Sequence, residues 1–243
     1  MNLLLLSPGE LADDGTVRLL DRRAAHLRDV VKAAPGARVA AGVLGGRMGT
    51  AELLEVGEAV AARVTLDRDP PPRAPFDLVV ALPRPKILRK VLQAAASMGV
   101  ARLVLAGSWR VEKSYWSSPL LAPEAIADEL RLGLEQGRDT IAPEVLLRRF
   151  FKPFVEDELD ALFPGAQRLL ADERATTPLA AIARTAPRSV LAVGPEGGFT
   201  PYEAGRLAEL GFAPFTLGER ALRVDVAVPF AAGQVALWAA GGR

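Results

Sequence analysis

The sequence predicts an α/β domain with a mostly parallel sheet, preceded by a small β-rich domain. Two observations support this fold class. Short apolar runs alternate with longer helical patterns through the last two-thirds of the chain, which is typical of parallel sheets. The segment DRDPPPRAP, residues 67–75, can continue neither a helix nor a central strand and therefore indicates a linker. We expect domains over residues 1–70 and 75–243.

Before the linker, short apolar runs separated by glycine-bearing turns predict strands. These runs are NLLLL, TVRLL, ARVAAGVLGGRMGTAELLEV and AVAARVTL. One helical pattern interrupts them, RRAAHLRDVVK from Arg22 to Lys32, with helical spacing through Ala25, Leu27 and Val31.

After the linker, five apolar runs predict buried strands, at 76–82, 101–107, 166–172, 188–194 and 212–218. The intervening segments predict helices: KILRKVLQAAASMG, PEAIADELRLGLEQG, FVEDELDALF and YEAGRLAELG. A last helix is expected from about Val226 to Ala240, because a helix tolerates Pro229 only in its first turn.

Composition narrows the classes of function. The 243 residues carry 30 basic and 29 acidic side chains, so any nucleic-acid binding must come from local patches. With no cysteine and one histidine, disulfides, thiolate zinc sites and multi-histidine metal sites are excluded. No apolar run reaches the roughly 18 to 20 residues that span a bilayer, and MNLLLLSPGE lacks the basic start of a signal peptide. We expect a cytoplasmic protein with no metal and no membrane partner.

The segment VGPEGGFTPYE, residues 193–203, falls at a predicted strand-to-helix junction. Thr200 and Glu203 form the pattern of a capping box, and Pro201 suits the first helical position. Adjacent glycines at the carboxyl end of a parallel strand let the backbone approach a ligand. The spacing matches neither a dinucleotide-binding nor a Walker pattern, and no serine nucleophile elbow is present. A tight turn without a ligand is the alternative.

A second segment, LGERALRVDVAV at residues 217–228, adds another glycine turn and the charged residues Arg220, Arg223 and Asp225. A solvated charged turn is its alternative interpretation. Together the two segments resemble the paired C-terminal signatures of the RsmE family, methyltransferases of the SPOUT superfamily that methylate N3 of a uridine in small-subunit (16S) ribosomal RNA. Three further segments resemble that family over the rest of the chain: AAHLRDVVKAAPGARV, RPKILRKVLQAAASMGVARLVLAGSWR and LEQGRDTIAPEV.

The resemblance implies a PUA-like barrel, a SPOUT domain with a deep trefoil knot, and a homodimer with each active site at the subunit interface. It also implies that S-adenosylmethionine lies against the knotted loops and is held largely by backbone groups. The cofactor-binding residues implied in this way are Gly194, Pro195, Glu196, Gly197, Gly198, Leu217, Gly218 and Leu222.

The sequence departs from the family at several positions. Ala94 and Ser97 replace a lysine and a glutamate of the family pattern, Asp225 and Val226 stand in L-R-x-E-T-A, and Arg138 lies one position early. These departures leave two alternatives open: a methyltransferase of the same fold acting on another RNA base, and a non-catalytic RNA-binding or assembly protein.

Methylation of uracil N3 needs help because this nitrogen keeps its proton at neutral pH. The enzyme must remove that proton or stabilise the negative charge that develops on O2 and O4. We expect Arg223, and next Arg138, to stabilise the charge. Asp225 or Glu196 could accept the proton if its surroundings raise its pKa, although a structural hydrogen bond explains either carboxylate equally well.

Local basic patches predict where RNA binds. The window from Arg84 to Lys113 holds seven basic residues against one acid, with Trp109, Tyr115 and Trp116 in or just beyond it. A solvated helix face with core aromatics is the alternative. The predicted RNA-binding residues are Arg84, Lys86, Arg89 and Arg110 in this window, with Arg22, Arg23 and Lys32 in the N-terminal domain. The expected partner is 16S ribosomal RNA, within the small ribosomal subunit.

Overall fold

The computed structural model describes residues 2–241, which divide into two compact units. Unit 1 is drawn from Met1–Pro72, Ala96–Gly99 and Asp128–Ala142. Unit 2 is drawn from Arg73–Ala95, Val100–Ala127 and Pro143–Arg243.

Unit 1 contains a five-stranded mixed sheet with the order β1-β3-β4-β5-β2. The strands are β1 (Leu4–Leu6), β2 (Thr16–Leu19), β3 (Arg38–Val43), β4 (Met48–Val56) and β5 (Val60–Arg68). The first pair, β1 and β3, is parallel and the other pairs are antiparallel. The pairing of β4 with β5 shifts register twice, with an extra residue in β5 at Met48/Gly49 and in β4 at Leu53/Glu55, and such an extra residue increases local twist. Alternate residues of β5, Val60, Ala62 and Val64, face the core.

The predicted helix of unit 1 is present but short. Helix α1 (Arg22–Ala25) begins where the Asp21 side chain accepts a hydrogen bond from the N–H of Arg23, and it continues as one π-helical turn over His26–Val30. Leu27 is buried, whereas Val31 is exposed and lies beyond the last turn.

Unit 2 is built on a six-stranded, wholly parallel sheet with the order β11-β9-β10-β6-β7-β8. Its strands are β6 (Phe76–Ala81), β7 (Arg102–Ala106), β8 (Glu144–Arg148), β9 (Gln167–Ala171), β10 (Ser189–Val193) and β11 (Ala213–Phe215). Every residue of the central strands β6 and β10 is buried, as expected for strands covered on both faces. The predicted parallel sheet is confirmed.

The remaining α-helices are α2 (Pro85–Ser97), α3 (Pro123–Gly137), α4 (Phe151–Pro153), α5 (Leu159–Leu162), α6 (Pro201–Glu209) and α7 (Val224–Ala240). A π-helical turn over Phe154–Glu158 joins α4 to α5. The four helical segments predicted between strands are all present. Within residues 2–241, no helix is both long and apolar enough to cross a membrane.

Two predictions of secondary structure were wrong. Strand β8 was missed because it is an edge strand that pairs only with β7, and its half-exposed residues give no continuous apolar run. Helix α7 begins at Val224, two residues early, so Pro229 lies in its second turn rather than its first. The first turn closes through the Arg223 carbonyl, which accepts from the N–H groups of Val226 and Ala227 at 2.9 and 2.8 Å.

Candidate functional site

One recess of unit 2 lies at the carboxyl ends of β9, β10 and β11, where ligands of open parallel sheets bind. It encloses about 660 Å³ of space including its open mouth. Seven of the eight residues expected to bind the cofactor line it: Gly194, Pro195, Glu196, Gly198, Leu217, Gly218 and Leu222. The eighth, Gly197, lies in the same turn without lining the recess.

The first turn, which follows β10, depends on its glycines. Gly198 has φ of +68° and donates its N–H to the carbonyl of Pro195 at 2.8 Å. A Cβ on Gly194 would come within 3.1 Å of the Phe199 nitrogen. The carbonyl of Gly197 accepts a hydrogen bond from the Arg110 guanidinium. A side chain at the first or last of these glycines would therefore crowd or strain the wall of the recess.

The predicted capping box at the start of α6 is confirmed. The N–H of Glu203 donates to Thr200 Oγ1 at 3.2 Å, and Glu203 Oε2 accepts from the Thr200 N–H at 2.9 Å. Glu203 is buried and also accepts from the Trp109 N–H at 2.7 Å and from the Ser108 hydroxyl at 3.2 Å. These bonds fix the end of the glycine turn to the segment that follows β7.

The second turn, between β11 and α7, supplies an apolar wall. Gly218 has φ of +108°, and its N–H donates to Thr216 Oγ1 at 3.0 Å. Leu217 and Leu222 line the recess together with Val224 of α7. This wall suits a flat apolar ring.

Three carboxylates and one cation, Arg220, line the recess. Asp172, Glu173 and Glu196 all line it. Burial acts to raise the pKa of Asp172, but hydrogen bonds from Arg174 hold that pKa below its usual value, so the carboxyl stays ionised. The Arg84 guanidinium lies 3.7 Å from Glu196. Sequence reasoning missed Asp172 and Glu173, although their position directly after β9 is the signal that could have found them.

Asp225, in the first turn of α7, is held by two cations. Its side chain is 4% exposed, and its Oδ2 accepts from Lys90 Nζ at 2.7 Å and from Arg223 Nη2 at 3.3 Å. The hydrogen bond from Lys90 is the main reason that the pKa of Asp225 is lowered. Its Oδ1 is buried with no hydrogen-bond partner in the described part of the chain. The condition under which Asp225 could accept the proton, a raised pKa, is not met, because Lys90 of α2 lowers it.

Arg138, the second expected charge stabiliser, belongs to unit 1, whereas Arg223 belongs to unit 2. It directly follows α3 with φ of +55°, a left-handed conformation that glycine usually adopts at this position. The preceding Gly137 approaches the backbone so closely that a Cβ would lie 2.7 Å from the Ser97 Cα.

The predicted RNA contacts of unit 1 need a correction. Arg23 is 5% exposed and is engaged by Glu10 Oε1 at 2.6 Å, Asp21 Oδ2 at 2.7 Å and the Leu5 carbonyl at 2.8 Å. It is therefore a structural residue and cannot contact RNA. Arg22 donates to both oxygens of the buried Glu135, which balances its charge. Of the three, Lys32 is exposed, with φ of +53°.

In unit 2, two predicted RNA-binding arginines lie against the glycine turn. Arg84 forms an ion pair with Glu196, and Arg110 donates a hydrogen bond to the Gly197 carbonyl. Lys86 and Arg89 are exposed on α2. Among residues 2–241, no group of three or more His, Cys, Asp or Glu side chains is arranged to hold a metal ion.

Comparison with known proteins identifies the family. The family model for an RNA methyltransferase domain matches residues 70–236. A ribosomal RNA small subunit methyltransferase E from Treponema pallidum is 30% identical over 232 residues, which cover 93% of this chain and 87% of the relative. The chain belongs to the RsmE family of RNA methyltransferases.

Two solved structures share the fold of this RsmE-family chain. One is a ribosomal RNA small subunit methyltransferase E from Neisseria gonorrhoeae bound to S-adenosylmethionine, with 23% identity and a TM-score of 0.72 over 96% of this chain and 95% of the other. The second is a methyltransferase from Legionella pneumophila in complex with the same cofactor, with 20% identity and a TM-score of 0.73 over 99% and 97%. At these identities the likeness shows the shared fold.

Proposed function

We propose that this chain transfers the methyl group of S-adenosylmethionine to N3 of a uridine in 16S ribosomal RNA. The observation that carries the proposal is the gathering of seven expected cofactor residues in one recess of an RsmE-family chain. The substrate and the base follow the family to which the chain belongs.

The residue types that line the recess suit the chemical groups of the cofactor. S-adenosylmethionine combines a flat adenine with a positively charged sulfonium and amino group, and when bound it supplies an electrophilic methyl group. The wall of Leu217, Leu222 and Val224 suits the adenine. The carboxylates of Asp172 and Glu173 suit the cationic groups. The glycine turns bring main-chain donors and acceptors to the ligand without a Cβ in the way.

Arg223 is the residue that we assign to charge stabilisation. It is the N-cap residue of α7, its side chain is 64% exposed, and it lies between Leu222 and Val224, which both line the recess. Its one carboxylate partner among the described residues, Asp225, holds it at 3.3 Å. Arg223 does not itself line the recess, but an exposed guanidinium beside its mouth can donate to O2 or O4 of the uracil as negative charge develops. Arg138 remains the second candidate for this role.

The proton that leaves uracil N3 needs an acceptor. We assign this role to Glu196, whose carboxylate lines the recess and is partly exposed. Asp225 positions Arg223 and Lys90 instead, because its lowered pKa makes it a weak base. Methyl transfer from the bound cofactor to N3 would release S-adenosylhomocysteine, and the N3 proton would pass to Glu196.

We also propose the finer architecture and assembly of the family. The curled mixed sheet of unit 1 supports a PUA-like, RNA-binding role, with a boundary to a SPOUT domain near residues 70–75. A knot is supported by the chain order, since β11 lies at the sheet edge while the following α7 packs on the inner strands β10 and β6.

A homodimer is supported by one face of α7, where Val226, Phe230 and Leu237 are 43%, 48% and 77% exposed. A ribosomal substrate would place the protein in the cytoplasm.

The test is a comparison of 16S RNA from cells with and without this protein, by mass spectrometry of nucleosides. We expect N3-methyluridine to disappear in the deletion strain and to return when purified protein and S-adenosylmethionine are added to its small subunits. Persistence of N3-methyluridine would refute the assigned base, and loss of another methylated base would identify the alternative enzyme. Titration calorimetry with S-adenosylmethionine distinguishes either methyltransferase from a non-catalytic protein, because the non-catalytic protein would give no heat of binding.

A further inference from the structure

A second recess of unit 2 lies outside the expected cofactor residues and is walled by aromatic side chains. It encloses about 1,560 Å³ including its open mouth. Five aromatic residues line it: Trp109, Trp116, Phe150, Phe151 and Tyr202. Trp109, Phe150 and Tyr202 are 86%, 68% and 61% exposed. A cluster of exposed aromatic surface of this kind marks an interaction site rather than a packing core.

The aromatic wall is held in place by backbone contacts. The Trp109 N–H donates to the buried Glu203 at 2.7 Å, and Glu203 is fixed by the capping box of α6. The segments that follow β7 and β8 touch at Gly107, where a Cβ would lie 1.9 Å from the Arg149 carbonyl oxygen. These contacts fix the backbone from which the rings project, so a ligand would not have to order these segments on binding.

The charge of this recess favours an anionic occupant. Lys113, Arg149 and Lys152 line it, and the Arg149 guanidinium lies 6.0 Å from the centroid of the Phe150 ring. The one acidic residue of the lining is Glu203, whose two oxygens already accept hydrogen bonds. Aromatic faces with cations at the rim are what stacking on a nucleobase and contact with its phosphate require.

The aromatic recess and the cofactor recess share a wall. Gly198 and Phe199 line the cofactor recess, while Thr200 and Tyr202, the next residues along the chain, line the aromatic recess. The rings of Phe199 and Phe151 are 6.1 Å apart. A base in the aromatic recess is thus next to the cofactor recess but separated from it by the glycine turn.

We propose that the aromatic recess binds an unpaired nucleotide of the RNA that flanks the methylated one. The base stacks on Trp109, the most exposed ring of the recess, and Lys113, Arg149 or Lys152 contacts the phosphate. This inference rests on the proposed function, because it takes the partner of the recess to be the RNA substrate. The target base itself must reach the methyl group, on the other side of the glycine turn.

Tryptophan fluorescence provides a direct test. Two of the three tryptophans line the recess, and the third, Trp238, donates its indole N–H to the Ile182 carbonyl elsewhere. In a Trp238→Phe background, we expect a single-stranded hexauridylate to quench the emission. Trp109→Ala should weaken this binding about tenfold, whereas Trp109→Phe, which keeps a stacking face, should stay within about twofold. Equal affinity of Trp109→Ala and the parent protein would overturn the proposal.

Methylation assays separate this proposal from the function on which it rests. With small subunits as substrate, Trp109→Ala should raise the KM for RNA about tenfold and leave the Kd for S-adenosylmethionine unchanged. If the wild type methylates but the KM of Trp109→Ala is unchanged, the recess is not an RNA site and the enzyme assignment stands. If hexauridylate binds at Trp109 but no methyl transfer occurs, the recess stands and the proposed function fails. Loss of self-association in Trp109→Ala would assign the recess to a second copy of the chain and overturn the proposal.

Discussion

Glu203 provides a quantitative test of how the glycine turn is held. Its carboxylate accepts four hydrogen bonds, from the N–H groups of Trp109 and Thr200 and from the hydroxyls of Thr200 and Ser108, at 2.7 to 3.2 Å. Glu203→Ala leaves two backbone N–H groups without their acceptor. Each N–H group that water does not reach lowers the free energy of unfolding by about 1–3 kcal/mol. Because both sites are only partly buried and the hydroxyls can rotate, we expect unfolding free energy to fall by about 2–4 kcal/mol in total.

Urea denaturation followed by tryptophan fluorescence measures this loss, since Trp109, Trp116 and Trp238 all belong to unit 2. Glu203→Gln keeps one acceptor oxygen and should lose about half as much. Glu209→Ala is the matched control on the same helix, because its ion pair with Arg206 is largely exposed and is worth less than about 1 kcal/mol. A Glu203→Ala variant within about 0.5 kcal/mol of its Glu209→Ala control would refute the account of the capping box.

Three further predictions concern charge, pH and packing. Arg23→Ala should destabilise unit 1 by about 2–3 kcal/mol, which is less than the usual cost of breaking a buried pair because Glu10 is partly exposed. Urea denaturation followed by circular dichroism measures this loss of stability. A loss under about 0.5 kcal/mol would contradict the prediction. Asp225→Asn keeps an acceptor oxygen but loses the negative charge that pairs with Lys90. Because the pKa of Asp225 is lowered, the wild type should have the larger free energy of unfolding, in full above about pH 4, and this difference should vanish as the pH falls further. A difference that grows towards acid would disprove the pairing. Gly107→Ala should cost about 3 kcal/mol or more by thermal unfolding, because its Cβ would clash with a carbonyl oxygen at 1.9 Å; an unchanged Tm would be incompatible with that contact.

One mutation tests the catalytic assignment directly. Arg223→Ala should lower the single-turnover rate about 100-fold while leaving S-adenosylmethionine affinity nearly unchanged, because its charge is needed only as the uracil becomes anionic. Arg223→Lys serves as the control that keeps the charge. Unchanged single-turnover rates in the alanine variant would remove Arg223 from this role.

The parallel sheet could be predicted from sequence because a strand that is buried on both faces is a continuous run of apolar residues. Strands β6 and β10 are continuous apolar runs. The glycine turn after β10 ends in a capping box whose residues can be recognised in the segment 193–203. Strand β8 is no such run, since an edge strand with exposed residues has an ordinary mixed composition. Strand order is likewise absent from any local pattern, because it depends on pairing between distant segments.

The candidate site was predictable only in part, and for a similar reason. The resemblance to a family indicated the residues of the two turns, and the structure brings seven of them to one recess. What was missed depends on partners far along the chain. Lys90 is 135 residues from Asp225 and lowers the pKa of that carboxylate, so the condition for a proton acceptor is not met. Arg23 has the same charge as a surface arginine and is distinguished only by the two carboxylates and the carbonyl that enclose it.

The discontinuous build of unit 1 has a consequence for how the chain is made. The Glu135 carbonyl accepts from the Asn2 N–H at 3.0 Å, its carboxylate receives Arg22, and Arg131 donates to Ser7 Oγ at 2.9 Å. A fragment that stops near Pro72 lacks these partners. During synthesis, we therefore expect the N-terminal sheet to reach its full stability only after the polypeptide as far as Ala142 has emerged from the ribosome.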